Sequence, residues 1–156
     1  VILFGGSDGA RAAFVAMALM PGRPLLYNGQ EVESPQKDSI FTREPIVWKQ
    51  PHAAQARAFY TRIIHLARTD PAFLKGDLQR VVTSDSNDVI AYARGAALVL
   101  VNARNNDARF AVTGFAVAGA RDLLSGRVVR GDTVSLPAYG ALVLERRARG
   151  GKPRTP

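Results

Sequence analysis

Apolar positions along the chain change their period near residue 75, and the change divides the sequence into two readings. From Arg11 to Met20 nearly every residue is apolar and helix-compatible, which predicts a helix buried on most of its faces. Ser7 and Asp8 just ahead of it are expected to accept hydrogen bonds from its first free amides. Pro21-Gly22 ends the helix, and Pro24-Leu25-Leu26-Tyr27-Asn28 reads as a short, continuously apolar strand covered on both faces, stopping at Gly29. Helix, tight turn and buried strand in succession imply a parallel sheet. Residues 29–51 are polar and irregular, a long loop after a strand, with Ile40, Phe41, Ile46 and Trp48 as its anchors. His52 to Arg68 then places Ala56, Phe59, Ile63, Leu66 and Ala67 on one stripe of an amphipathic helix that Asp70-Pro71 stops.

Beyond Lys75-Gly76 the pattern becomes strand-like, with turn signals every few residues: Ser84 to Asp88, Asn105-Asn106-Asp107, Ser125-Gly126 and Gly131-Asp132. Eight candidate strands lie between them: Leu78–Val82, Val89–Arg94, Ala97–Asn102, Arg109–Thr113, Arg121–Leu124, Arg127–Arg130, Thr133–Leu136 and Ala141–Glu145. Short runs with hairpin-length gaps describe an antiparallel sandwich or barrel. The expected fold class is therefore α/β plus all-β. Residues 1–74 form one incomplete α/β unit and 75–145 an antiparallel β-sandwich, with the boundary near Phe73 to Gly76.

Composition narrows the function. The 156 residues are 47% hydrophobic, enough for one sizeable core or two small ones. The apolar run Ala10 to Met20 is too short to span a bilayer, so no membrane partner is expected. No cysteine is present, which removes disulfides and thiolate metal sites. The net charge is +8, but Arg146, Arg147, Arg149, Lys152 and Arg154 supply five of these charges in an acid-free tail, 146–156, expected to be disordered. The remaining basic residues are scattered without interleaved aromatics, so nucleic acid is not the expected partner. The chain opens on Val1 within an apolar run and is read as a piece of a longer protein; its localisation is left open.

Ala12-Ala13-Phe14 through Met20-Pro21-Gly22-Arg23-Pro24-Leu25-Leu26-Tyr27-Asn28-Gly29-Gln30-Glu31 resembles the segment that closes the barrel in glycoside hydrolases of the α-amylase family. There a helix leads through a Pro-Gly-x-Pro turn into the eighth strand and its Tyr-x-Gly-x-Glu ending. Ser34-Pro35-Gln36 and Phe41-x-Arg43-Glu44-Pro45-Ile46-x-Trp48 are similar to the loop that follows in bacterial members. Leu98 to Asn102, Asp122 to Gly126 and Leu136 to Gly140 are similar to the family's C-terminal β-domain. The resemblance covers nearly the whole chain except the tail. It implies the terminal portion of a (β/α)8 TIM barrel followed by an antiparallel β-sandwich, within a retaining enzyme acting on α-1,4-linked glucans.

The resemblance also implies that the three catalytic carboxylates come from earlier strands, the last in an Asn-His-Asp motif that this sequence does not contain. No catalytic residue is therefore assigned here. Glu31 and Glu33, two apart, point to opposite faces if extended and make a poor pair for retaining hydrolysis, which needs carboxyls about 5 to 5.5 Å apart. Asp38 and Glu44 are loop carboxylates with no feature that raises their pKa. Groups just past a barrel strand face the active site, which makes Asn28, Gln30 and Glu31 the candidate substrate-binding residues. A plainer role for Glu31 is to accept backbone amides or to pair with Arg43. Trp48 and Phe41 are read as packing anchors more readily than as sugar platforms. His52 and His65 stand thirteen apart with no ligand-spaced partner, so no metal or cofactor is assigned; calcium is implied only for the full-length parent. The other reading is a non-catalytic carbohydrate-binding or interaction β-module, which leaves the strand Pro24–Asn28 without a parallel partner.

Overall fold

The computed structural model describes residues 5–35, 41, 43 and 45–146. The run Val1–Phe4, the loop carboxylates Asp38 and Glu44 and the tail beyond Arg146 lie outside these.

Three α-helices and eight strands are present among the described residues: α1 Gly6–Ala18, α2 Ala53–Thr69, α3 Pro71–Lys75, β1 Leu78–Arg80, β2 Val82–Thr83, β3 Val89–Arg94, β4 Ala97–Asn102, β5 Ala108–Thr113, β6 Arg121–Asp122, β7 Thr133–Leu136 and β8 Ala141–Glu145. The strands make two antiparallel sheets, one ordered β1-β3-β4-β8-β6 and the other β2-β5-β7. The chain crosses from one sheet to the other at Val81, between β1 and β2.

β4 explains how the layers are held. Its sequence Ala-Leu-Val-Leu-Val-Asn is buried at all six positions, because alternate side chains enter two different cores. Ala97, Val99 and Val101 meet Phe14, Val15, Leu19, Tyr60, Ile63 and Phe73 on the helical side. Leu98 and Leu100 meet Phe110, Phe115, Val134 and Leu136 toward the second sheet. A continuous apolar run in a strand is what two covered faces require. The molecule thus has three layers, with the five-stranded sheet in the middle.

Two polar side chains of β3 fasten the helices to this sheet. The Tyr92 hydroxyl donates to the Ala16 carbonyl at 2.7 Å. Arg94, 4% exposed, donates to three carbonyls: Phe73 at 2.7 Å, Gly76 at 2.8 Å and Leu19 at 3.2 Å. A buried cation without a carboxylate is tolerable only when its donors are satisfied, and carbonyls at the ends of α1 and α3 carry the negative end of the helix dipole. On the other edge, buried Asp122 accepts from the amides of Leu124 and Val143, both at 3.1 Å, and from the Ser125 amide at 2.9 Å. It also takes the Ser125 hydroxyl at 2.5 Å, so both of its oxygens are engaged.

Several expectations need correction. Pro24–Asn28 is not a strand in this structure, and Leu25 and Tyr27 are 72% and 58% exposed rather than covered. An apolar extended segment forms a strand only when a neighbour takes its backbone groups, and every ladder among the described residues is antiparallel and lies beyond residue 77. Helix α1 starts earlier than expected, behind Gly5 at φ 78, with no side-chain cap from Ser7 or Asp8. Asp70-Pro71 does more than end α2: the Asp70 carboxylate accepts the Ala72 amide at 2.8 Å and starts α3, with Pro71 in its first turn. Leu78–Val82 is split between two sheets. Arg127–Arg130 contributes only an isolated bridge, Val128 to Arg121.

Candidate functional site

The candidate residues Asn28, Gln30 and Glu31 lie in the stretch after α1, whose turn at Gln30–Val32 packs against α2. Gly29, at φ 89, turns the chain into a short 3-10 turn, Gln30–Val32. Its left-handed backbone is one that only glycine adopts without cost. Glu31 accepts the Gly29 amide at 2.9 Å and Gln30 accepts the Tyr27 amide at 3.2 Å. Both side chains therefore fold back on the turn that carries them, the plainer of the roles weighed for Glu31. Asn28 is exposed and makes no side-chain hydrogen bond among the described residues.

Glu33 closes the turn at φ 55. A β-carbon in this region costs on the order of 1–2 kcal/mol, and the offset comes from α1: Arg11 Nε reaches Glu33 Oε1 at 2.6 Å, with the carboxylate side chain 7% exposed. The same guanidinium lies over the Phe59 ring, 5.6 Å from its centroid. Thus α1, α2 and the turn after Asn28 are tied at one point. In the sequence Glu33 stands out only as a possible catalytic partner of Glu31; Arg11 and Tyr60 give no sign there of belonging with it.

Tyr60 is 1% exposed, packed edge-on against Phe14 and Phe59 at 4.9 and 5.2 Å between centroids. Its hydroxyl makes no hydrogen bond of ordinary geometry. Burial pushes its pKa up; the nearby Gln30 amide lowers it, Glu33 raises it again and Arg11 lowers it.

An opening lies elsewhere. A groove of about 460 Å³ lies between α1 and the turn before β8, lined by Asp8, Arg11, Val15, Phe59, Pro137 and Tyr139 among others. Trp48 and Phe41 are exposed and line no part of it. Among the described residues no three His, Asp or Glu side chains converge in a way that would hold a metal ion, and no helix is long and apolar enough to cross a membrane.

This arrangement of helices on two antiparallel sheets is one found in solved structures of the α-amylase family. The chain is similar to Ttha1563 from Thermus thermophilus, with a TM-score of 0.67 and 27% identity over 88% of this chain and 31% of that one. It is also similar to the maltogenic amylase from S. marinus (TM-score 0.64, 16% identity, 86% of this chain and 19% of that one). A third is the trehalulose synthase MutB from Pseudomonas mesoacidophila MX-45 (TM-score 0.67, 17% identity, 88% and 38%). The chain spans well under half the length of each. No family model matches the sequence, and no curated relative matches it. The likeness establishes the fold, and it agrees with the family resemblance carried by Pro21 to Glu31.

Proposed function

We propose that this chain is the C-terminal portion of a retaining glycoside hydrolase of the α-amylase family acting on α-1,4-linked glucans, in which residues 1–74 finish a (β/α)8 barrel and 75–145 form a β-sandwich behind it. The observation that carries the reading is a pairing of two independent facts. The sequence carries Tyr27-Asn28-Gly29-Gln30-Glu31, which resembles the family's barrel-closing motif, and 86% and 88% of the chain is covered by a maltogenic amylase and a trehalulose synthase structure.

Exposure in the helical layer supports the same reading. Met17 on α1, Met20 just after it, Leu25 and Tyr27 on the unpaired stretch, and Trp48 are all between 41% and 72% exposed. In a completed barrel, Pro24–Asn28 pairs with parallel neighbours on both sides and these side chains are covered. Asn28 then projects from the mouth as a substrate contact, while Glu31 and Gln30 hold the turn beneath it. The chemistry itself comes from carboxylates outside this sequence. The engagement of Glu31 by the Gly29 amide and of Glu33 by Arg11 supports a structural role for both. The contacts of Tyr92 and Arg94 with α1 argue against a freestanding β-module, because one face of its sheet is already taken.

The test is a comparison of two proteins. The chain by itself is expected to release no reducing sugar from soluble starch, and the longer protein that carries it is expected to do so with retention of anomeric configuration. Turnover by the chain alone, lost in Glu31→Gln or Glu33→Gln, overturns the assignment of the chemistry to other segments.

A further inference from the structure

Gly29 occupies a position where the fold tolerates no other residue without cost. The Tyr27 carbonyl accepts the Gln30 amide at 3.0 Å, which closes a four-residue turn with Asn28 and Gly29 at its centre. Gly29 stands at φ 89, ψ -12, the left-handed second central position of a type II turn. A β-carbon there would also lie 3.0 Å from the Ile46 side chain. No such constraint fixes the residue before it. Asn28 is exposed, and its carboxamide bonds to no group among the described residues.

A free carboxamide ahead of a glycine places an electrophile beside an unshielded nucleophile, and asparagine is among the chemically labile side chains. Once hydroxide has taken the Gly29 amide proton, the bare nitrogen can attack the Asn28 side-chain carbonyl carbon. A new C–N bond closes a five-membered imide, and the carboxamide C–N bond breaks. The leaving nitrogen takes a proton from water and departs as ammonia, which returns the hydroxide. Water then adds to either imide carbonyl and opens the ring, to aspartate or to isoaspartate, whose main chain runs through the side-chain carbon. Asn28 is the only asparagine in the sequence that precedes a glycine; Asn87, Asn102, Asn105 and Asn106 precede larger residues.

The first step meets an obstacle in the fold. The Gly29 N–H donates to Glu31 Oε2 at 2.9 Å, and Gly29 is buried. The proton that must leave is held in a charge-assisted hydrogen bond. The amidate left behind would stand beside a like charge, which disfavours its formation. We propose that Asn28-Gly29 is a site of spontaneous deamidation and that the Glu31 carboxylate restrains it by holding the Gly29 proton. Isoaspartate inserts an extra carbon into the main chain of the turn that Tyr27 and Gln30 close, so conversion breaks the turn's register. It also exchanges a carboxamide for an acceptor-only anion; that this exchange alters sugar binding rests on the function proposed above.

Peptide mapping by mass spectrometry, on the 156-residue chain incubated at mildly alkaline pH, tests the proposal. Glu31→Gln keeps an oxygen that can accept the Gly29 amide but removes the charge. It should speed conversion of Asn28 about tenfold, the effect of one pKa unit on the amidate population. The wild-type chain unfolded in guanidinium chloride should gain at least as much, and Asn28 should then outpace every other asparagine, with isoaspartate among its products. Glu33→Gln loosens the same turn without removing the acceptor of the Gly29 amide, and it should gain far less. An equal gain in Glu33→Gln assigns the restraint to the stiffness of the turn and overturns the role of Glu31. An unchanged or lower rate in Glu31→Gln overturns it as well, the lower rate marking Glu31 as a base that takes the proton. Conversion of Asn28 no faster than that of Asn105 or Asn106 in the unfolded chain overturns the site. Starch turnover by the longer protein without conversion here removes only this inference; conversion without turnover removes only the function proposed above.

Discussion

Arg11 on α1 and Glu33 after the Gln30–Val32 turn meet at 2.6 Å across 22 residues of sequence, and the contact holds a non-glycine residue in a left-handed backbone. The two effects oppose each other at one position, so they can be separated. Glu33→Gly relieves the backbone cost but removes the ion pair, whereas Glu33→Gln keeps the cost and loses the charge. Glu33→Gln is expected to be the more destabilising of the two. A double-mutant cycle with Arg11→Met should return a coupling of about 1–2 kcal/mol in urea denaturation; a coupling near zero shows that the pair does not hold the turn.

Arg94 is the residue whose loss should be felt most widely. Its guanidinium satisfies carbonyls of Leu19, Phe73 and Gly76, and truncation takes that donor from all three, the first two of them buried. Arg94→Ala is expected to cost about 3–5 kcal/mol, and Arg94→Lys to recover only part of it, because an ammonium cannot span three acceptors in a fixed fork. Chemical denaturation followed by far-ultraviolet circular dichroism measures both.

Asp122 makes a parallel case at the other sheet edge. Asp122→Asn keeps the shape but turns an acceptor into a donor that faces either amides or the Ser125 hydroxyl, so a loss of about 2–4 kcal/mol is expected. An unchanged denaturation midpoint would mean that the cap at Leu123-Leu124-Ser125 contributes nothing to holding β6 against β8.

Two buried tyrosines set an alkaline limit. Burial raises the pKa of Tyr60 and of Tyr92 above the ordinary value of 10.0. A proton retained by the folded state but released by the unfolded chain makes stability fall as pH rises. The contribution is complete below pH 10.0 and is lost progressively above it, toward the folded values. Tyr92→Phe should cost about 1 kcal/mol at neutral pH through the lost bond to Ala16 and should flatten the alkaline decline. Tyr60→Phe should flatten the decline too, yet leave neutral stability unchanged or improved, since its hydroxyl has no well-formed bond to lose. Urea melts from about pH 7 to 11 distinguish the two.

Strands β3, β4, β7 and β8 are legible to the residue because alternation and turn chemistry agree there: Gly95 closes one hairpin at φ 52, and the β4 run enters two cores. The failures have physical reasons. Pro24–Asn28 has the composition of a buried strand, but composition supplies no hydrogen-bond partner, and extended backbone without one stays irregular. Arg127–Arg130 resembles a strand through the turns on either side of it, although only Val128 and Val129 are apolar and Val128 is 57% exposed. Helix α3 is written in the sequence as Asp70-Pro71, a cap followed by a first-turn proline, but a proline after one helix reads first as that helix's end. Among the site residues, Asn28, Gln30 and Glu31 come from the family motif, and Glu31's attachment to a neighbouring amide is one of the two roles open to it. Arg11, Tyr60 and Tyr139 could not be connected, because their meeting depends on how α1, α2 and the turn before β8 pack, a relation with no trace in local spacing.

The three carbonyls gathered by Arg94 belong to segments separated by more than fifty residues, two preceding the switch in period near residue 75 and one lying on it. A protease that cuts the peptide at Lys75 would therefore nick the chain without releasing either half. The pieces should co-elute under native conditions and part only in denaturant, so that sequence-defined units here are not mechanical ones.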